Sequence, residues 1–373
     1  MQLIVVLGLA LSWGSWCFLQ GAEAQNPSCT TPAMQPGMCV PVEGCRNIYK
    51  IFQLTNNKIP PKILTYIRQS VCRLAGVTKA VCCQLSEIDK SVLVDKQGSK
   101  KPSLLPVECG IITTDRISNG QATAPFEFPW MALLRYKDNS GTITDGCGGS
   151  LINERYVLTA AHCLGVRRFA LDHVRLGEHT KSKEQDCIGS EDDCAGPVQD
   201  IAVELEIVHP EYNKPKYAND IGLIRLVRNV MFEDHIKPIC LPVTENYQNM
   251  LHPKYIITGW GTTEKNDLSD VLLKATLPRV DNSECQQVMA SNRLTVLLSD
   301  KQICAGGKDL VDSCRGDSGG PLGTVGMLNG DARFIQFGIV SAGLNTCGER
   351  NVPGIFTRVG KYMSWIEDNL KPS

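Results

Sequence analysis

The sequence predicts an all-β fold closed by a C-terminal helix, with a small disulfide-stapled module ahead of it. Three observations carry this. From about Cys109 onward short apolar runs recur: Trp130-Met131-Ala132-Leu133-Leu134, Tyr156-Val157-Leu158, Val203-Glu204-Leu205-Glu206-Ile207-Val208 and Tyr255-Ile256-Ile257-Thr258. Gly, Pro, Asn and Asp punctuate them, the pattern of short strands joined by turns. At the end Tyr362, Met363, Trp365, Ile366 and Leu370 fall at the spacing of one helix face. Near the start Cys29, Cys39, Cys45, Cys72, Cys82 and Cys83 crowd into about 55 residues, and so many cysteines in so short a stretch replace a hydrophobic core.

The 373 residues exceed one domain at roughly 150 residues each. Residues 1–24 run from Leu3-Ile4-Val5-Val6-Leu7 to Phe18-Leu19 and end in Ala22-Glu23-Ala24. That is the layout of a signal peptide with a small-x-small cleavage site, and it predicts a secreted, extracellular protein. The apolar run is short and broken by Gly and Ser, which argues against a membrane anchor. Formal net charge is −1, so neither nucleic acid nor an anionic membrane is expected as a partner. Of 17 cysteines, Cys17 leaves with the leader, and an even set in a secreted chain reads as disulfides. Six cysteines in the first module allow fifteen pairings, and spacing alone does not choose among them. Residues 84–108, rich in Lys, Ser and Asp, read as a flexible linker or a short helix packed on one domain.

Three later segments carry chemistry. Asp312-Ser313-Cys314-Arg315-Gly316-Asp317-Ser318-Gly319-Gly320 sets a hydroxyl among glycines, where the chain turns sharply and offers free backbone N–H groups. Ser318 is a weak nucleophile until a base takes its proton. Thr159-Ala160-Ala161-His162-Cys163 supplies an imidazole that titrates near neutrality. Asn219-Asp220-Ile221-Gly222-Leu223 supplies a carboxylate to orient it. An acidic excursion, Glu184, Asp186, Glu191, Asp192 and Asp193, offers hard oxygen ligands of the kind Ca²⁺ takes, and equally suits a plain acidic surface loop.

With His162, Asp220 and Ser318 in that chain order, the sequence resembles the chymotrypsin-fold serine proteases. Its first module, ending in the adjacent Cys82-Cys83, resembles the clip domain of arthropod proteases. The likeness implies a chymotrypsin-like double β-barrel with a C-terminal helix over residues 117–373. Ahead of it would lie a clip domain over 25–83 and a linker with activation peptide over 84–116. By the same likeness His162, Asp220 and Ser318 form the catalytic triad, and the N–H groups of Gly316 and Ser318 the oxyanion hole. Asp312 lies at the base of the primary specificity pocket, between walls at Gly343 and Gly354. A buried carboxylate there demands a cationic guest, so cleavage after Arg or Lys is expected. Ala342 stands where the family usually has an aromatic residue, which widens the neighbouring subsite.

The resemblance also implies a zymogen. Cleavage after Arg116 frees the amine of Ile117, which folds inward, pairs with Asp317 and orders the site. Clip-family pairing gives Cys29–Cys82, Cys39–Cys72 and Cys45–Cys83. Protease register gives Cys147–Cys163, Cys285–Cys304 and Cys314–Cys347. Cys187 and Cys194 are close enough for their own loop, which leaves Cys109 for Cys240 and keeps the clip module tethered after activation. A disulfide common in relatives is missing, both its positions having changed together, to Tyr255 and Thr324. Relatives bind calcium through a Glu matching Glu178, and in this chain the Thr180 carbonyl and Asp186 are the expected further ligands; no cofactor is expected to be required for catalysis. Expected partners are protein zymogens or precursors as substrates, an upstream activating protease and serpin inhibitors. The expected setting is an extracellular immune, melanisation, clotting or Toll-activating cascade. The other readings are a catalytically inactive clip-domain cofactor, which would normally have lost Ser318, and a digestive trypsin, which has no use for a clip module.

Overall fold

The computed structural model describes residues 28–55, 59–74, 77–89, 103–112, 121–165, 169–188, 193–262, 267–294, 296–307, 316–342 and 352–372. The chain divides into two compact units, Met1–Asp89 and Lys90–Ser373. Among the described residues no helix is long and apolar enough to cross a membrane.

The first unit is a four-stranded antiparallel sheet in the order β1-β2-β4-β3, made of β1 (Ser28–Thr30), β2 (Pro36–Pro41), β3 (Val71–Leu74) and β4 (Val77–Gln84). Helices Arg46–Thr55 and Pro61–Ser70 connect β2 to β3, the second begun by Pro61, whose fixed φ suits a first helical position. Disulfides Cys29–Cys82, Cys39–Cys72 and Cys45–Cys83 stitch the strands, because so short a chain buries too little apolar surface to hold itself. The unit continues past the boundary at residue 83 expected from the sequence. Ile88 is buried and bridges to Cys45, and the Asp89 N–H donates to the Gly44 carbonyl at 2.9 Å. Residues 84–89 therefore belong to the fold, not to the linker.

The second unit holds two β-barrels. In the first, β6 (Met131–Asp138), β7 (Ile143–Leu151), β8 (Tyr156–Thr159), β9 (Phe169–Leu176), β10 (Gln199–Val208) and β11 (Gly222–Leu226) close in the order β10-β11-β8-β7-β6-β9. Met131, Leu134, Leu151, Leu158, Leu176 and Ile201 are fully buried in its core. The second uses β12 (Lys254–Gly259), β13 (Leu273–Val280), β14 (Gln302–Ala305), β15 (Pro321–Leu328), β16 (Asp331–Ala342) and β17 (Gly354–Arg358). They run β12-β15-β16-β17-β14-β13, and β13 pairs back to β12, closing a six-stranded ring. The β15–β16 hairpin turns on Asn329 and Gly330, at φ +53° and +83°, the pair of left-handed residues a two-residue turn needs. The short strand β5 (Gln121–Ala122) pairs with Lys274 and Leu273 of β13.

The helix Met363–Asn369 closes the chain, burying Met363 and Ile366, with Leu370 buried just beyond it. A helix the strand pattern did not reveal, Asn282–Ser291, is pinned to β14 by Cys285–Cys304. The linker also ends earlier than expected. Leu104, Leu105 and Ile112 pack on the barrel core, and the Leu104 carbonyl accepts from Asn153 Nδ2 at 3.1 Å. Gly110 exchanges hydrogen bonds of 2.8 Å with Pro238 and Phe334, beside Cys109–Cys240. Apolar burial here outweighs the polar composition of the stretch before it.

The two barrel cores are continuous through aromatic contacts. Trp130 stacks on Phe334 of β16 with centroids 5.1 Å apart, and Phe128 meets both rings edge-on. Phe334→Ala is therefore expected to lower stability by about 3–5 kcal/mol, read as a drop in the denaturant midpoint of the protease unit. An unchanged midpoint would mean the barrels are not coupled through this ring.

Candidate active site

His162 sits in the one-turn helix Ala161–Cys163 that follows β8. The Cys147–Cys163 disulfide staples that turn to β7. Cys147, Cys163 and His162 lie close enough to suggest a metal cluster, but both sulphurs are spent in the disulfide. Asp220 precedes β11, only 2% exposed. Its Oδ2 lies 2.8 Å from His162 Nδ1, and its Oδ1 accepts from the His162 backbone N–H at 2.9 Å. An ionised carboxylate only accepts, so Nδ1 carries a proton, and in the neutral ring Nε2 is the nitrogen left with the lone pair. The Ser341 hydroxyl donates to Asp220 Oδ2 at 2.6 Å, and Thr357 Oγ1 donates to the Asp220 carbonyl at 2.7 Å. Ser341 lies where the β16–β17 register shifts between Val340 and Ala342, and such a bulge re-aims a side chain.

Ser318 is half-buried in the turn leading into β15. Gly148 of β7 donates its N–H to the Ser318 carbonyl at 2.8 Å, and the Gly319 N–H donates to Val340 at 2.9 Å. The turn is therefore held from both barrels. Gly316 and Gly319 adopt φ of +101° and +79°, backbone that side-chain-bearing residues rarely take. At Gly319 space is short as well: a Cβ would stand 2.2 Å from Thr159 Oγ1.

Asp317 turns the other way. Its Oδ1 accepts from the Gly261 N–H at 2.9 Å. A Cβ at Gly259 would come within 2.1 Å of that oxygen, and one at Gly261 within 2.4 Å of Oδ2. The carboxylate thus lies in a cradle that only glycines leave open. Gly354 opens β17 opposite Ala305, and Ala342 closes β16, half-buried. Asp312, Gly343, Arg116, Ile117 and the Cys314–Cys347 pair lie outside the described residues.

Glu178, Thr180 and Asp186 are all buried. Burial pushes the Glu178 carboxyl up, Arg175 Nη1 at 3.3 Å pulls it back, and Asp186 pushes it up further. Asp186 Oδ2 accepts from the Thr180 N–H at 3.1 Å, and the Cys187–Cys194 disulfide closes the loop behind it. Two buried carboxylates that repel each other are a donor set a hard cation would satisfy. Ser341, Thr357 and the Gly259–Gly261 cradle escaped the sequence reading. The signal for the cradle is the Gly259-Trp260-Gly261 triplet; Ser341 carries none, since a bulge is a property of register.

Two barrels meeting at a hydrogen-bonded His–Asp pair, beside a Ser on a glycine turn, define a serine protease fold. The chain belongs to the trypsin family: the family described as Trypsin matches residues 117–366, and the regulatory CLIP domain of proteinases matches 29–83. It is a clip-domain serine endopeptidase. It is 39% identical to Serine protease grass of Drosophila melanogaster, covering 99% of this chain and 97% of that one. It is 38% identical to Phenoloxidase-activating factor 1 of Holotrichia diomphalia, over 96% and 98% of the two chains. The crystal structure of Drosophila Grass clip serine protease of the Toll pathway superposes with a TM-score of 0.63 at 38% identity, covering 92% of this chain and 97% of that one.

A hydrogen bond to a buried charge contributes about 1.5–3 kcal/mol. Ser341→Ala is expected to lower kcat on a small arginine chromogenic substrate by about 10–100-fold, with KM unchanged. A raised KM at constant kcat would instead make Ser341 a substrate-binding residue.

Proposed function

We propose that the chain is a secreted zymogen which, once cut after Arg116, cleaves protein substrates after Arg or Lys in an extracellular proteolytic cascade. The observation that carries the reading is the His162–Asp220 hydrogen bond of 2.8 Å at a buried carboxylate. It leaves Nε2 as the base. Nε2 takes the proton of Ser318 Oγ as that oxygen attacks the scissile carbonyl. The N–H groups of Gly316 and Ser318 take the oxyanion, and Asp220 stabilises the imidazolium. His162 then protonates the leaving amine, and water repeats the sequence on the acyl-enzyme. Asp312 selects the cationic side chain, with Gly343 and Gly354 leaving room for it.

Asp317 is the acceptor for the freed Ile117 amine, and its cradle supports that role by leaving the carboxylate one fixed place. The relatives' names support the cascade setting: they include Melanization protease 1 of Drosophila melanogaster and Phenoloxidase-activating factor 3 of Holotrichia diomphalia. The substrate is then itself a zymogen or precursor, and the controls are an upstream protease and serpin inhibitors. The leader at residues 1–24 and the disulfides support secretion.

The test is cleavage at residue 116. The parent protein treated with trypsin is expected to hydrolyse arginine substrates. Arg116→Gln treated identically is expected to stay inactive, and cleaved Ser318→Ala to lose about 10⁶-fold in kcat. Full activity of Arg116→Gln, with Ile117 still joined to residue 116, would overturn the zymogen reading.

Glu178, Asp186 and the Thr180 carbonyl would hold Ca²⁺, supplying a stabilising cross-link to the loop. Calcium at 100 times its Kd is expected to stabilise the protease unit by about 2.7 kcal/mol, seen as a raised Tm that EDTA reverses and Glu178→Gln abolishes. A Tm indifferent to both would mark an acidic surface loop.

A further inference from the structure

The segment that leads into Asp220 is folded back on itself under strain. Asn213, Tyr217 and Asn219 take φ of +60°, +66° and +55°, and for a residue as bulky as tyrosine that conformation is unfavourable. Hydrogen bonds hold it. The Tyr217 N–H donates to Asn213 Oδ1 at 2.9 Å, and the Asn213 N–H to the Ala218 carbonyl at 2.8 Å. The Ala218 N–H donates to the Pro215 carbonyl at 2.9 Å, and Asn219 Nδ2 to the Glu211 carbonyl at 3.0 Å. Backbone strain held in place in this way collects at functional sites.

What the loop presents is a cation on an aromatic ring. Lys216 is exposed, with Nζ 4.8 Å from the centroid of the half-buried Tyr217 ring, close enough for the ring face to steady an ammonium. Lys214, two residues before, is exposed too. Among the described residues Lys181, Lys237, Lys274 and Lys361 have carboxylate partners, whereas Lys214 and Lys216 have none. The loop's own acid, Glu211, gives it hydrogen bonds only through its backbone carbonyl.

This cation stands beside the reacting groups. Lys216 is four residues from Asp220, which caps their separation at about 14 Å, and Asp220 is bonded to His162 at 2.8 Å. Burial, with Asp220 and then Tyr217 beside it, pushes the Tyr212 hydroxyl up to about 12, so the carboxylate and the Tyr217 ring lie around one phenol. On the other side Ser341 holds Asp220, and the next residue, Ala342, packs on the same apolar cluster as Tyr217, around Met289, Cys304 and Ile355. A methyl group covers little, so the strip between the Tyr217 ring and the end of β16 stays open to a chain lying across it.

We propose that Lys216, seated on Tyr217, is a specificity-determining residue: it selects substrates that carry an aspartate or glutamate within about four residues of the scissile bond. An extended chain rises about 3.3 Å per residue, so a reach of about 14 Å sets that number. The unpaired ammonium supplies the charge complementarity that discriminates between otherwise similar chains. The inference rests on the activity proposed above and narrows its substrate class, from a basic residue at the cut to a basic residue with an acidic one close by.

The test uses the full chain cleaved after Arg116 and freed of trypsin, acting on internally quenched peptides with a single arginine. Glutamate or glutamine is placed in turn at each position within reach of the cut. The readout is the ratio of kcat/KM for a glutamate peptide over its glutamine twin, so the fraction of folded enzyme cancels. The parent is expected to show a ratio of about three to five at one position or two neighbouring ones, the size of an exposed ion pair. Raising salt from about 0.01 M to about 1 M shrinks the Debye length from about 30 Å to about 3 Å and should bring the ratio toward one. Lys216→Glu is expected to invert the ratio to about one third, and Tyr217→Ala, which removes the ring beneath the ammonium, to lower it to less than about two. A parent ratio of one at every position, or a ratio that Lys216→Glu leaves in place, overturns the inference while cleavage after arginine stands. A parent that cuts none of the peptides fails the activity reading and takes this inference with it.

Discussion

Everything at the candidate site depends on satisfying one buried carboxylate. Asp220 is 2% exposed, and an unpaired charge at that depth would be strongly destabilising. Its oxygens take the backbone N–H and ring Nδ1–H of His162 and the Ser341 hydroxyl, while its carbonyl takes Thr357 Oγ1. His162 belongs to the first barrel; Ser341 and Thr357 belong to the second. The charge has all its hydrogen-bond donors only when both barrels are seated, so building the site and docking the barrels are one event. The C-terminal helix joins in: Tyr362 OH at its start and Lys301 Nζ both donate to Asn219 Oδ1, next to Asp220.

The same logic governs the turn that carries Ser318. Its shape comes from Gly316 and Gly319 at positive φ, and its placement from Gly148 of one barrel and Val340 of the other. Donors aimed at developing charge act most strongly when they need no rearrangement. A turn clamped from two sides supplies that rigidity. The flanking Asp317 is drawn the opposite way into its glycine cradle, so consecutive residues serve opposite faces of one loop.

How much of this was readable depends on how local each signal is. Strand alternation and the helical spacing of Met363, Ile366 and Leu370 are short-range, and the all-β fold with its closing helix followed from them. His162 and Asp220 stood out through residues on either side of each. The end of the clip unit did not, because Ile88 is buried by pairing with Cys45, far away in the chain. The docking of Leu104 and Leu105 likewise needs a barrel surface to dock on. Ser341 is an ordinary strand residue until a register shift turns its hydroxyl onto Asp220.

The narrow bed of Asp317 bears on how activity is inferred across such chains. A single methyl group at position 259 or 261 would strike the carboxylate, yet leave imidazole, carboxylate and hydroxyl untouched. A homologue carrying alanine there would keep every one of those side chains and still lose the bed in which this carboxylate lies. Comparing members of this group by those three side chains alone therefore passes over a steric constraint; the two glycines flanking the tryptophan belong in the comparison.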